Sequence, residues 1–446
     1  MNPSSPEADN LNAYVVLHAE NRTLFDQQNS GWLDNLRAAS LDHFQNLGFP
    51  STRNEDWKYT DLRGMLRHRF SLASLPVADD AIEHLLNNLP DAHRLVFIDG
   101  EFAPTHSSVD HLESGLELIN IAVKLEADPD SIKQHLGSCA DIDQKAFAAL
   151  NTAFIKDGAF VRINKGCLVE KPIDLVFIAS GADQAQLVSP RVSIVAEEDS
   201  KASVREHYLS LSDGKYFSNA VTEIELLPGA ELDHCKLQME GKGAYHIGGL
   251  FSKQRKGSQL ISHAIMLGGR LARNEIYAAL TEENAQCELN GLFIAKGRQH
   301  IDNYTHIHHA THNCTSRELY KGVIDDHAHG VFHGRVVVDE HAQKTDANQQ
   351  NNNLLLSGNA EIDTKPQLEI YADDVKCAHG ATVGQLDENA LFFLRSRGIA
   401  LAEARAILTG AFLRDAVAKI NDEQLRSYVD SIVLRQLDYI ESSGKA

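Results

Sequence analysis

Ser200-Lys201-Ala202-Ser203-Val204, Gly229-Ala230-Glu231-Leu232, Gly257-Ser258-Gln259-Leu260, Ala285-Gln286-Cys287-Glu288-Leu289, Asn313-Cys314-Thr315-Ser316 and Ala342-Gln343-Lys344-Thr345 are the segments whose reading decides the fold. Each opens on a small or turn-forming residue, and the anchors Ser200, Gly229, Gly257, Ala285, Asn313 and Ala342 lie 29, 28, 28, 28 and 29 residues apart. Between them run alternating, β-branched stretches such as Val192-Ser193-Ile194-Val195, Val221 to Leu227 and Val336-Val337-Val338. No helical-repeat signature is shared. A near-constant period of short strands and turns is the pattern of a β-solenoid, because one coil cannot bury its own inner face and must stack on the next, about 4.8 Å away. The competing reading is a chance alignment of common small residues. The amide run Asn348-Gln349-Gln350-Asn351-Asn352-Asn353 fits coils stacked in register, where amides bond from coil to coil. Alone it also reads as a low-complexity loop; Leu354-Leu355-Leu356 behind it favours a corner that leads into a buried strand.

Working outward, the chain divides into a helical domain over residues 1–95, a parallel β-helix core over 96–385 and a second helical domain over 386–446. Leu33, Leu36 and Phe44 share a helical face closed by Pro50, and Ala81 to Leu89 forms a second periodic segment ending near Pro90. Trp57 and Tyr59 read as anchors of the loop between them. Beyond the solenoid, Asp387 is a good N-cap for Leu391 to Leu394, and Gly398 stands where that helix stops. Leu401 to Ile420 is the next helix, and Asn421 with Gln424 resembles a capping box for Leu425 to Ile440. Such an amphipathic set must cap the solenoid's end or bind something.

The charge balance narrows the function. With 42 basic and 62 acidic residues the chain carries a formal charge of −20, which opposes binding of nucleic acid, and its densest basic stretch is only Lys253 to Lys256. Met1 to Asn21 contains no Lys or Arg, unlike a secretory or transit segment. Apolar runs such as Leu175 to Ala179 are far short of the roughly 20 residues that cross a bilayer. The six cysteines, Cys139, Cys167, Cys235, Cys287, Cys314 and Cys377, are dispersed with no C-x-x-C pair. That spacing argues against a disulfide framework and against a self-contained zinc or iron–sulfur site. A cytoplasmic protein with reduced thiols and no membrane span is expected.

Histidine is abundant, at 22, and nine lie between His300 and His341. His306 with His308 and His327 with His329 each place two imidazoles on one strand face, where they would grip a metal if a carboxylate such as Glu318 joined them. The alternative is a structural ladder between coils, favoured by His312 and His341 at one phase of the repeat. There is no P-loop, nucleophile elbow or H-E-x-x-H, and Gly241, Gly243, Gly248 and Gly249 miss the dinucleotide fingerprint because His246 takes the third glycine's place.

Ala360-Glu361-Ile362, Pro366-Gln367-Leu368-Glu369-Ile370, Lys376-Cys377-Ala378-His379-Gly380-Ala381-Thr382 and Leu394-Arg395-Ser396-Arg397-Gly398-Ile399 closely resemble the SufB/SufD family. So do Glu55-Asp56-Trp57-Lys58-Tyr59-Thr60 and Leu168 to Ile173, and the run His379-Gly380-Ala381-Thr382 points to the SufD branch. The resemblance spans nearly the whole chain. It implies a right-handed parallel β-helix flanked by helical domains, and a scaffold subunit that is not itself an enzyme. Such a subunit works with a SufB-like paralogue and SufC-like ATPases, which hydrolyse the ATP, to build iron–sulfur clusters. The isolated chain would bind no cofactor, and a cluster would be held transiently in the complex. On this reading His379 is a candidate iron or cluster ligand shared with the partner, and Cys377 a weaker one. Leu394, Arg395 and Arg397 lie on an ATPase-facing helix. Leu368 and Ile370 lie on a strand facing the paralogue, or facing a second copy when the chain is alone. A carbohydrate-processing β-helix enzyme and a histidine-rich metal enzyme are the other readings.

Overall fold

A strand that alternates inward and outward side chains buries only half of itself, so the repeat is stable only when coils share one lumen. The computed structural model, which describes residues 6–26, 31–72, 77–181 and 185–443, has that arrangement: a parallel β-solenoid of about 8 turns. Each coil gives one strand to each of two parallel sheets. The first sheet runs through Lys201–Ser210, Glu231–Met239, Gln259–Met266, Gln286–Ala295, Thr315–Ile324, Asp346–Leu355 and Lys376–Gly384. The second runs through Tyr216–Leu226, Tyr245–Gln254, Leu271–Leu280, His300–His309, His329–Val338 and Glu361–Ile370. The inner rows meet in one apolar column that includes Val204, Leu232, Leu260 and Leu289 from the first sheet and Ile224, Leu250, Ile276 and Ile307 from the second.

The period comes from the corners. The register aligns Lys201, Glu231, Gln259, Gln286, Thr315 and Asp346. Two residues before each stands a left-handed residue: Asp199, Gly229, Gly257, Asn284, Asn313 and Lys344. Gly, Asn and Asp tolerate that conformation, which explains five of the six positions. The small residue that follows, Ser200, Ala230, Ser258, Ala285, Cys314 or Thr345, is buried at the bend. Of the anchors chosen from sequence, Gly229, Gly257 and Asn313 are the left-handed residues themselves. Ser200 and Ala285 fall one residue late and Ala342 two early, because small size marks the bend less sharply than the dihedral angle does.

Two further expectations are corrected. The amide run is not a corner: it is the body of the strand Asp346–Leu355, with Gln349, Asn351 and Asn353 buried in the lumen. Asn353 Nδ2 donates to Asn351 Oδ1 at 2.6 Å, and Thr364 Oγ1 of the opposite sheet donates to that same oxygen at 2.7 Å. The described part of the span 96–385 also contains three α-helices, Ile121–Ala127, Pro129–Lys133 and Ala146–Ala153. Every residue from Phe147 to Ala153 is buried, so the last of these has no polar face and shows no helical period in its sequence.

The flanking helices lie along the solenoid's sides. Phe44 of Gly31–Leu47, Trp57 and Phe147 pack on Phe217, Tyr245, Ile247 and Leu271 of the second sheet. On the other side Leu401–Val417 and Glu423–Ser443 form a hairpin whose Leu413, Val417, Leu425, Val429 and Val433 cover Leu237, Leu292, Ile294 and Val323 of the first sheet and Leu267 just past it. The C-terminal helices therefore roof a sheet face and do not cap the end. Their hairpin is pinned by Lys321 Nζ to Asp415 at 2.7 Å and by the buried Arg205, which pairs with Asp422. Asp422 is also the cap: its Oδ1 accepts from the backbone N–H of Gln424 and Leu425. Asn421, expected in that role, instead donates to Asp233 at 3.1 Å. Asp387 and Gly398 behave as expected, the first accepting from Asn389 and Ala390 N–H, the second left-handed at φ 88°.

Candidate functional site

Helices cover both sheet faces, which leaves the solenoid's far end. There the first sheet stops at Lys376–Gly384 and the second at Glu361–Ile370. Each strand is hydrogen-bonded to the preceding coil on one side, and among the described residues no strand lies on the other. Two strands of 9 and 10 residues thus present open backbone edges, the feature that proteins otherwise blunt or pair.

Cys377 and His379 lie on this last strand, two residues apart and on one face, as the i, i+2 spacing requires. Cys377 is in register with Ala347 and His379 with Gln349. Cys377 is half-buried against the core, and burial raises its thiol above the ordinary value. His379 is exposed. Leu368 packs partly on the same core, while Ile370 and Tyr371 are exposed at the strand's end. Leu394, Arg395 and Arg397 are separate from this end strand: the first is half-buried and the arginines exposed, on or just past the helix Glu388–Arg395. The sequence reading missed that helix's most conspicuous feature, Phe392 and Phe393, which are 74% and 56% exposed. Arg397 lies over the Phe393 ring at 3.4 Å from its centroid.

The histidine pairs resolve differently. His306 and His308 do share a strand, but His327 sits in the turn before His329–Val338, so His327 and His329 do not form a strand pair. His308 Nε2 meets Asp339 at 3.0 Å, and His329 Nε2 meets Asp363 at 2.8 Å. His312 pairs with Glu283 at 3.1 Å, away from His341. A ladder does exist, at His300 over His329, with ring centroids 4.8 Å apart. Among the described residues no three His, Cys, Asp or Glu side chains converge to hold a metal ion.

Behind His379 lies a polar row. Glu318, Gln349 and His379 are successive in register, and Gln349 Nε2 donates to Glu318 Oε2 at 2.6 Å inside the lumen. Gly334 of the opposite sheet makes this possible, since a Cβ there would run into the Gln349 amide. Burial raises the Glu318 carboxyl from 4.5 to about 7. A carboxyl whose folded value is raised contributes stability below its unfolded pKa and loses it as pH rises through the folded value. Glu318→Gln is therefore expected to be more stable than the parent by roughly 2 kcal/mol near pH 8.5, with the gap closing near pH 5. Urea denaturation of both proteins at the two pH values measures this, and a gap independent of pH would refute it.

Residues 177–412 match the family described as "SUF system FeS cluster assembly, SufBD core domain", and residues 8–175 match "SufBD protein N-terminal region". The chain is similar to the iron–sulfur cluster assembly protein SufD of Escherichia coli, at 33% identity over 87% of this chain and 90% of that one. An iron–sulfur cluster assembly SufBD family protein of Synechocystis is 34% identical over 87% of each chain. The SufD protein of Bacillus subtilis is 25% identical over 92% of this chain and 95% of its own.

Proposed function

The chain belongs to the SufBD family of iron–sulfur cluster assembly proteins, and from that premise we propose that it is a scaffold subunit, not an enzyme. It pairs through its open solenoid end with a SufB-like paralogue, carries SufC-like ATPases on its C-terminal helices, and presents His379 to iron or a nascent cluster at the shared interface. The observation that carries this reading is the open end itself: two unpaired strand edges, with Cys377 and His379 on one of them. One chain contributes at most two donors there, so the remaining ligands come from across the interface. The cluster is cargo. ATP hydrolysis belongs to the partner, since the sequence has no P-loop, and nucleotide-driven motion of the ATPases shifts the interface between closed and open populations. All six cysteines are free, which suits reduced thiols in the cytoplasm. Among the described residues no helix is long and apolar enough to cross a membrane.

Edge pairing is tested with Ile370→Lys combined with Val383→Lys, which adds charge to two exposed positions on the end strands. The variant is expected to elute apart from the paralogue, and alone as a monomer where the parent forms a homodimer, with its melting temperature unchanged. An unchanged elution size counts against the pairing.

Deleting residues 387–446 would be a poor test of ATPase binding, because it strips the roof from Leu237, Leu267 and Leu292. Phe392→Asp with Phe393→Asp is cleaner, since both rings are exposed. This pair is expected to weaken ATPase capture at least about tenfold, as loss of exposed aromatic anchors does. Retained capture would move the ATPase surface elsewhere.

A further inference from the structure

The second set of corners, where the first sheet turns into the second, carries a feature that cluster assembly does not explain. Three successive corners each present a cation: Lys242 ahead of Tyr245–Gln254, Arg270 ahead of Leu271–Leu280 and Arg298 ahead of His300–His309. Lys296 joins them from the corner of Arg298, and Arg435 faces them from the helix Glu423–Ser443. All five line one groove of about 890 Å³, a size typical of small-molecule sites. Gly241 and Gly268 sit where a Cβ would strike the backbone of the neighbouring corner, so these turns stack as a bare ledge with the cations along it.

The groove also carries three acids, Asp213, Glu240 and Asp326, so its five cations are in excess by two. Asp213 Oδ1 accepts the backbone N–H of Lys242 at 2.8 Å, and Asp326 Oδ2 accepts that of Gly297 at 2.9 Å. Glu240 accepts from Gln238 Nε2 at 2.8 Å, both residues buried. Lys296 donates to Gln436 Oε1, and its ammonium is pulled down to about 8 first by burial and then by Lys242, with Asp326 opposing. In a chain of net charge −20, a basic groove of this kind is selective for a small anion over an extended polyanion, which the rest of the surface repels. Leu211 and Met239, both half-buried, add apolar surface beside the cations.

We propose that this groove binds a phosphorylated small molecule of nucleotide size. Its phosphates lie among Lys242, Arg270 and Arg298, where guanidinium forks match phosphate oxygens. Its apolar part rests on Leu211 and Met239. The groove shares no residue with the open end, so the proposal does not depend on the assignment of His379.

The test is calorimetric titration of the isolated full-length chain, without divalent cations, with ADP, inorganic pyrophosphate and adenosine as probes. ADP is expected to bind in the micromolar range, pyrophosphate at least about tenfold more weakly and adenosine not detectably. Arg270→Glu with Arg298→Glu, both exposed, is expected to lose at least about a hundredfold in ADP affinity while melting like the parent. No ADP binding up to about millimolar concentration, or equal binding by parent and variant, would overturn the site. Pyrophosphate binding as tightly as ADP would overturn the role of the apolar floor, and adenosine binding as tightly as ADP would overturn that of the cations.

Discussion

His379→Ala is expected to assemble with its partners and yet fail to support cluster formation. The imidazole is exposed on the outermost strand, whose backbone pairs with the preceding coil, so its loss removes little packing. What it removes is a donor suited to iron, since neutral imidazole is a competent ligand. Cys377, two residues away, is placed differently. It is half-buried against the core with its thiol pKa raised, which disfavours the thiolate that binds metal. Anaerobic reconstitution of the purified complex should therefore give His379→Ala at least about tenfold less iron and sulfide than the parent, and Cys377→Ser within about twofold of it. A His379→Ala complex that loads normally, in a strain whose iron–sulfur enzymes also mature normally, would make His379 structural and place the site elsewhere. The elution profile of the complex separates this outcome from the edge-pairing test: His379→Ala leaves pairing intact, whereas charge at Ile370 and Val383 breaks it.

What the sequence made legible follows from how local each feature is. The coil period could be counted because each corner needs a left-handed residue, and Gly229, Gly257 and Asn313 announce it. The Asp387 cap and the Gly398 stop are equally local. The helix Ala146–Ala153 was invisible because a helix buried all round has no period to detect. The placement of the C-terminal hairpin could not be read either: an amphipathic helix shows that it has an apolar face, not which surface that face covers. Stacking hid the rest. Glu318 and Gln349 are 31 residues apart in the chain and adjacent in the lumen. The cations of the corner groove are scattered between Lys242 and Arg435, so no basic run betrays them. The carboxylates that occupy His308 and His329 come from the next coil, 31 and 34 residues on, which turned apparent metal pairs into structural contacts.

Arg273→Ala is expected to be the most damaging single change to stability, because one guanidinium holds the N-terminal motif to the solenoid and pairs with two buried acids. Arg273 is 1% exposed. Its Nη1 pairs with Asp302, its Nε and Nη2 donate to Glu275 Oε1 at 3.0 and 2.8 Å, and Nη2 also donates to the backbone carbonyl of Asp56 at 2.8 Å. Its plane lies 3.9 Å from the centroid of the Trp57 ring. Thr60, at the end of the same motif, hydrogen-bonds Asp302 and meets His300 Nε2 at 2.8 Å. The expected anchoring by Trp57 and Tyr59 is thus carried by Trp57 and Thr60, with Tyr59 only half-buried. Removing the guanidinium leaves Asp302 and Glu275 charged and buried without it, a loss of about 3–5 kcal/mol, and it exposes a face of Trp57. If uncompensated charge is the main cost, adding Asp302→Asn and Glu275→Gln to Arg273→Met should recover more than about half of the loss, because neutral groups tolerate the site better than orphaned carboxylates. If the Trp57 stack is the main cost, the triple variant should stay as unstable as Arg273→Ala. Denaturant unfolding of the three proteins distinguishes these outcomes, and a loss below about 1 kcal/mol for Arg273→Ala would show that the clip carries little of the fold's stability.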